Sequence, residues 1–518
     1  MKLLLVTSRA AADMLEEVVR DLRSRLGGRV EFEVFVSSVP VASLASAEFI
    51  GKELMEFLKE MKDFDLIVIP GLVHGSARTV EELTGIKTVK GPRYVGDLPD
   101  FVDMLLAGFE FSPDVPADEL LRETIVSGLD EKVSKLSAES KAAFYLRGIK
   151  VPVKPPPLLL LYETPADPEK AVADAVYVKE LGYEGVVIGC ESWGCPKSVV
   201  RETIRCVRKV WPNALLGLDA RDYFSLSDII ALSDVDIVMN ITHREVKEIS
   251  EVLRDKATVI IPEAGAADPI DSIREGIRAA ESAGAKPIID PMLLPPLNGL
   301  VPSLSTFFSS LRIFKEYPHL MGAPNIYELI DADSPGIAAI LTSIAVEAGA
   351  SLILITESSN KARGAAQEFS IARRMVLRAF ARRSPPKDVG ASLLILKEKR
   401  DRSVRPPKLS AREVVVDRYV PPRLDRGYFV KIYVDNERER IVADVYSAKG
   451  DAVLRVTGRD ALSVARALLS EVPGISKEHA AYLGYELGKA EIALRLMRSY
   501  VQDLPLFDFS YRRRSAKP

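Results

Sequence analysis

At 518 residues the chain is long enough for roughly three domains of about 150 residues each. Its 47% apolar and 28% charged content describes a soluble globular protein with large cores, and a net charge of −3 excludes a global basic field for nucleic acid. The opening MKLLLVTSRAAAD has too short an apolar run for a signal peptide, and no run of about 18 apolar residues could span a membrane, so the expected location is cytoplasmic.

The first stretch, residues 1–150, reads as an α/β domain. Lys2–Val6, Val30–Val36 and Leu66–Ile69 are short apolar runs of strand length, and Ala10–Leu26 and Ala45–Met61 have helical spacing, the first stopped by Gly27–Gly28. Two glycine-bearing stretches follow strand-like runs: PGLVHG (Pro70–Gly75) and KGPRYVGDLPD (Lys90–Asp100). They fit either a nucleotide or partner site at the strand ends or a pair of tight turns. Without a G-x-G-x-x-G or a P-loop lysine, tight turns are the favoured reading. Ser112–Lys150 reads as charged helices, and VPVKPPP (Val151–Pro157) as a stiff, extended boundary.

From Leu158 a repeat begins. Apolar runs recur at Leu158–Tyr162, Gly185–Cys190, Ala214–Asp219, Val235–Asn240, Val259–Glu263, Pro287–Asp290, Leu320–Asn325 and Leu352–Thr356, with starts 21 to 33 residues apart. Helix-patterned segments fill most gaps; the one after Asp219 opens at Ser225 or Ser227. Strand–helix–strand units give right-handed crossovers between parallel strands, and eight of them fit a closed β/α barrel of the TIM type over residues 151–384. An open doubly wound sheet is the alternative.

In such a barrel the carboxyl strand ends carry the chemistry. Here they hold Glu163, Glu191, Asp219, Asn240, Glu263, Asp290 and Asn325, with Glu357 after the eighth strand. No Cys/His metal cluster and no Ser-His-Asp set appears. His243 and His319, near strand ends, read as local hydrogen-bonding residues. A carboxylate accepts two parallel N–H bonds from an amino-pyrimidinone edge, and a carboxamide donates and accepts in one plane, so a mouth of Asp and Asn suits a flat, nitrogen-rich heterocycle. Glu163, Ser192 and Ser358 are expected merely to cap helices. Trp193 is placed to stack on a ring.

At these residues the sequence resembles the pterin-binding barrel superfamily of dihydropteroate synthases and methyltetrahydrofolate corrinoid methyltransferases. The motifs are GLDA ending at Asp219–Ala220, VDIVMNIT around Asn240, PIIDP around Asp290–Pro291 and MGAPN ending at Asn325. The resemblance implies that Asp219, Asn240 and Asp290 hold a reduced pterin, a folate or tetrahydromethanopterin. Synthases carry a lysine on the seventh strand, in S-R-K-S, and an arginine–histidine pair after the eighth. Methyltransferases carry an asparagine ending G-x-S-N, the pattern that GAPN resembles. By that likeness Asn325 is both a binding and a catalytic residue, near the nitrogen that carries the methyl group. TESSNKARG has no Arg-x-His, though Lys361 and Arg363 could meet a phosphate or carboxylate tail. The order of α/β unit, barrel and C-terminal domain, with PGLVHG, KGPRYVGDLP and YLGYELGKAEIAL, also looks like the archaeal proteins called dihydropteroate synthase-related.

The expected activity is transfer of a one-carbon (methyl) group from the pterin. With no D-x-H-x-x-G in the chain, any corrinoid would sit on a separate protein. A synthase-like condensation of a pterin with an arylamine, and a non-catalytic pterin-binding subunit, are the alternatives; homo-oligomerisation is left open.

Residues 385–518 read as a small α+β domain: linkers SPPKDVG and RPPK, strands Val414–Val420, Tyr428–Val434, Ile441–Tyr446 and Val453–Val456, helices Ala461–Leu469 and Lys477–Tyr500, and a solvated basic tail. Three cysteines in so long a chain point to a reducing compartment, with Cys190 and Cys195 as soft core packing and Cys206 in a helix.

Overall fold

The structure is a computed structural model that describes residues 1–59, 63–190, 195–220, 227–232, 234–397, 412, 414–416, 418 and 420–507, with backbone alone at 122–125 and 232. Ser192, Trp193, Ser225, the RPPK linker and the basic tail lie outside the described residues. Met1–Lys397 forms one unit and Glu398–Pro518 another. No described helix is long and apolar enough to cross a membrane.

In the first unit β1 (Lys2–Thr7), β2 (Glu31–Val36), β3 (Leu66–Ile69) and β4 (Thr88–Lys90) make a parallel sheet in the order β2-β1-β3-β4. Leu3 and Leu5 pack on the helix Ala12–Leu26, whereas Leu4 and Val6 join Ile50 and Leu54 of the helix Ala47–Phe57. Burial on both faces is why such a strand reads as an unbroken apolar run. Gly27, at φ 55°, ends the first helix in the left-handed region that glycine adopts without penalty.

The Lys90–Asp100 stretch clamps the helix Ala365–Arg382. The guanidinium of buried Arg382 lies 3.0 Å from buried Asp97 and 3.9 Å above the Tyr94 ring. Gly96 passes so close that a Cβ there would sit 1.8 Å from the Arg382 carbonyl oxygen, so any side chain would force the two segments apart. Burial pushes the Asp97 carboxyl from 3.8 to about 7 even beside its cation.

The stretch before the barrel departs from expectation. After the helices Ala117–Leu120 and Arg122–Glu139, the end of the stretch read as helical and the start of the extended boundary form a hairpin, β5 (Ala142–Leu146) and β6 (Ile149–Pro152). Leu146 and Val151 join the barrel's inner core, and Arg147 in the turn pairs with Asp234 and Asp236, just ahead of a barrel strand. The hairpin therefore plugs the amino end of the barrel. Local patterning hid it because its apolar residues answer to a distant cavity.

The barrel strands are β7 (Leu159–Pro165), β8 (Gly185–Cys190), β9 (Leu215–Ala220), β10 (Ile237–Ile241), β11 (Ala257–Ile260), β12 (Lys286–Ile289), β13 (Leu320–Gly322) and β14 (Leu352–Ile355). All pair in parallel in the order β12-β11-β10-β9-β8-β7-β14-β13, and a bridge between Ile289 and His319 closes the ring. β14 pairs with β7 from Leu352↔Leu159 to Ile355↔Tyr162, so the first and last strands are neighbours, as a TIM-type barrel requires. Leu159, Leu161, Val187, Leu215, Val259 and Ile288 fill the interior; alternate residues such as Leu160, Val186 and Leu216 face the helices.

Cys190 lies in the barrel's outer core and Cys195 packs against it, as expected, and the two are in addition joined in a disulfide that the sequence reading did not include; Cys206 is free and half-buried.

In the second unit β15 (Tyr428–Asp435), β16 (Arg440–Ser447) and β17 (Ala452–Gly458) form an antiparallel sheet, one face of which packs on the helices Ala461–Glu471 and Lys477–Arg495. Residues 414–416, 418 and 420 belong to no strand, so the expected Val414–Val420 strand is absent among the described residues.

Replacing Arg382 by Met should destabilise the first unit by about 3–5 kcal/mol at pH 8, because a carboxylate is left buried without its cation. The loss should shrink at pH 5.5, where Asp97 takes up a proton, and Asp97→Asn in the same chain should recover most of it. Denaturant unfolding at the two pH values measures this.

Candidate functional site

Inward-facing positions recur every second residue along a strand. Leu215 and Gly217 face the barrel interior, so Asp219 two residues on faces its mouth; Asp290 follows inward Ile288 in the same way. Asn240 does not follow that rule. Ile237 and Met239 point inward, and strict alternation would send Asn240 outward beside Val238. Instead the register of β10 against β11 slips between Val238 and Ile241, and Asn240 takes φ 50°. The bulge re-aims the carboxamide inward and turns Ile241, which alternation would send inward, to the outer core. Asn240 Nδ2 then donates to Asp219 Oδ2 at 2.5 Å, a short, charge-assisted bond.

Asp290 is 5% exposed. Its Oδ1 accepts from the Met292 N–H at 2.8 Å, which favours the charged form. Burial outweighs that bond and, with the Asp219 charge adding to it, pushes the Asp290 carboxyl from 3.8 to about 7. Asn325, in the short helix Pro324–Tyr327 after β13, donates from Nδ2 to the Leu293 carbonyl at 2.9 Å and so ties the loops after β12 and β13 together. A Cβ on Gly322 would lie 3.5 Å from Asp290 Oδ2 and 4.0 Å from Asn325 Nδ2, which places these two side chains about one glycine. Asp219, Asn240, Asp290 and Asn325 thus share one mouth. Lys361 and Arg363 lie at the same end of the barrel but in the exposed loop after β14, where Lys361 pairs with Asp331 at 3.0 Å.

Several expectations are corrected. Glu163 does not cap the next helix; Asp167 does, accepting from Lys170 N at 2.8 Å. Glu163 instead faces the mouth, where a Cβ on Gly189 would come within 2.7 Å of its Oε1. Its place two residues beyond inward Leu161 was the available signal. Ser358 is no cap either: its N–H donates to Glu328, and its hydroxyl bonds that of Thr356. Glu357 holds the start of the helix Ala365–Arg382 by accepting from Ala366 N. His319 precedes β13 and so lies at the amino end, away from the mouth. There its Nδ1–H donates to the Tyr317 carbonyl and Nε2 accepts from Ser310; burial drops it from 6.5 to about 4. His243 lies between Glu263 at 3.3 Å and Glu275 at 3.4 Å. The set of strand-end polar groups includes Glu191, which lies outside the described residues. Among the described residues no group of three or more His, Cys, Asp or Glu could hold a metal ion.

Tyr327 was not anticipated. Its hydroxyl donates to the Thr356 carbonyl at 2.6 Å and accepts from the Thr356 N–H at 2.8 Å, fixing the end of β14 where the strand ladder stops.

Comparison with known proteins gives one full-length relative and a set of loose structural likenesses. An uncharacterized protein of Methanocaldococcus jannaschii is 28% identical over 98% of this chain and 99% of its own. A family model described as PterinBD-DUF4346 matches residues 425–503, within the second unit. Dihydropteroate synthase from Thermus thermophilus, in complex with 6HMPPP, is 17% identical over 44% of this chain and 96% of its own, with a TM-score of 0.36. The Yersinia pestis enzyme with a pterine-sulfa conjugate is 14% identical over 46% of this chain and 98% of its own, with a TM-score of 0.35. Structural overlaps this loose carry no argument about ligand or reaction.

The site makes a prediction about stability. Asp290 is raised in the folded state, so its contribution to stability is full below the unfolded value of 3.8 and is lost as pH rises through about 7. At pH 8 the folded protein bears the cost of burying this charge, on the order of 4 kcal/mol. Asp290→Asn keeps the acceptor for Met292 N–H and should raise the melting temperature at pH 8, with little gain at pH 4. Scanning calorimetry across that range checks it.

Proposed function

We propose that the barrel mouth binds the amino-pyrimidinone edge of a reduced pterin, a folate or tetrahydromethanopterin, and that the chain is a pterin-dependent transferase of a one-carbon (methyl) group. The observation that carries this reading is the facing pair of Asp290, buried with its carboxylate acceptor, and Asp219 locked to Asn240. Between them they offer parallel acceptors and a planar carboxamide to one flat heterocycle. The PterinBD description of the model matching the second unit supports the same ligand class.

In the proposed reaction the methyl group leaves nitrogen 5 for a nucleophilic acceptor on another molecule. The C–N bonding pair stays on nitrogen 5, which takes up a proton. Asn325 is the group offered to that nitrogen, and its bond gains most as the proton arrives, so it acts mainly in the transition state. A corrinoid carried by a separate protein is the acceptor class this chemistry suits. Lys361 and Arg363 are proposed to meet the anionic tail of the pterin, with the Lys361–Asp331 pair opening to allow it.

Two measurements test the proposal. Asp290→Asn should weaken reduced-pterin binding by about 2–3 kcal/mol in calorimetry, as expected for a charged acceptor lost from desolvated N–H bonds. In the wild type the affinity should rise as pH is raised through about 7, where Asp290 loses its proton. Unchanged affinity in the folded variant would remove Asp290 from the site.

Asn325→Ala should slow methyl transfer by about 30- to 1000-fold, with a far smaller change in pterin affinity. Single-turnover assays with methyl-labelled pterin, with and without a corrinoid protein, read the rate. Formation of a pterin–arylamine product without demethylation would replace methyl transfer by a synthase-like condensation, and pterin binding with neither product would leave a binding subunit.

A further inference from the structure

The N-terminal sheet has a crevice that the barrel chemistry does not use. From β1 the chain moves outward to β2, then returns to lay β3 on the other side of β1. Connections therefore leave β1 and β3 in opposite directions, and at such a switch point the carboxyl strand ends open a gap where ligands bind in open α/β sheets. A cavity of about 180 Å³ occupies this place, bounded by the ends of β1 and β3, the segment after β4 and the start of the helix Ala12–Leu26.

The chemistry of its wall selects the occupant. Leu5, Leu15, Val68 and Leu98 supply carbon surface, and polar side chains are confined to Thr7, Ser8 and Arg93. An anion would need free amides or a free cation, as phosphate sites at strand-to-helix turns provide. In the loop after β1 three successive amides are spent, leaving no cluster of free N–H groups: Arg9 N donates to Val39 O, Ala10 N to Pro40 O and Ala11 N to Ser8 O, each at 3.1 Å. Across the gap Gly91 N donates to Ile69 O at 2.8 Å. The Arg93 guanidinium is held by Asp118 at 2.5 Å and Glu119 at 3.1 Å, so its charge is already matched. What is left is a mostly apolar space, larger than the engineered cavity of about 150 Å³ that takes up benzene, with two hydroxyls in its wall.

We infer that this switch-point crevice is a second ligand site, separate from the barrel mouth, for a small neutral ring compound of one or two rings. Thr7 and Ser8 orient one polar edge of the ring, while the carbon surface supplies the affinity.

The test uses the full chain with ¹³C-labelled Leu and Val methyl groups, titrated separately with toluene, indole, inorganic phosphate and adenosine monophosphate. Toluene and indole should give saturable shifts at the methyls of Leu5, Leu15 and Val68, and phosphate none. Filling the space with Ala42→Leu or Ala11→Leu should weaken indole binding at least about tenfold while the chain stays folded. Ala11, at the half-buried helix start, keeps the test alive if the buried Ala42 variant fails to fold. Saturable binding of phosphate or adenosine monophosphate without the uncharged rings would overturn the inference. So would no saturable ring binding to the wild type, or unchanged indole affinity in a folded filler variant.

Discussion

A parallel sheet of eight strands has edges unless it closes, and here the last seam, between β12 and β13, closes at one isolated bridge, where Ile289 N donates to Pro318 O at 2.9 Å. His319 bridges to Ile289 of β12, while its carbonyl accepts from Ser351 N at 3.0 Å and Leu352 N at 3.1 Å, at the start of β14. Its ring is fixed on both nitrogens, by Tyr317 and Ser310, and burial keeps it neutral. A neutral imidazole with one donor and one acceptor satisfied can be buried where a charged one could not. The seam sets the mouth. Asp290 follows Ile289 directly, and Gly322 and Asn325 follow His319 by a few residues, so joining Ile289 to His319 brings the ends of β12 and β13 together around Asp290.

The mouth brings two local costs together. A carboxyl group is buried without a cation among the described residues, and a non-glycine residue adopts a positive φ. Each is unfavourable in isolation and persists because the surrounding strands over-determine it. The Asn240 bulge is offset by the hydrogen bond to Asp219 and by the burial of Ile241 in the outer core. The Asp290 burial is offset only in part, by Met292 N–H, and a ligand with paired N–H groups would supply the rest. Perturbed carboxyls at the carboxyl end of a barrel are where such a deficit has functional meaning.

The N-terminal sheet shows a different use of glycine and charge. In Lys90–Asp100 the glycines serve contact rather than phosphate: Gly96 admits the Arg382 carbonyl, and Gly91 fits against Val68, whose Cγ1 a Cβ would meet at 2.6 Å. Gly71 likewise leaves room for the Gly91 carbonyl. Asp97, Tyr94 and Arg382 then join this sheet to the last barrel helix within the first unit. The same packing leaves a carbon-lined space at the switch point, so clamp and crevice share one loop.

Much of this architecture is legible in the amino-acid order alone. Apolar runs of strand length, separated by helix-patterned segments and ending in Asp, Asn or Glu, determine a series of alternating β/α units, because period and burial are local properties of the chain; that the series closes into a barrel rather than an open sheet is decided by strand pairing. The polar strand ends at Asp219, Asn240 and Asp290 are legible for the same reason. The hairpin Ala142–Pro152 is not, since its apolar residues are explained only by the cavity they fill. Nor is the inward turn of Asn240, which alternation would send outward and which a slip against β11 reverses, nor the identity of the Asp97 partner, some 285 residues away at Arg382 by the numbering. These depend on which strand lies beside which and which segments meet. Register and long-range contact arise only when the ring closes, and they decide where each side chain points, how deeply it is buried and what charge it carries.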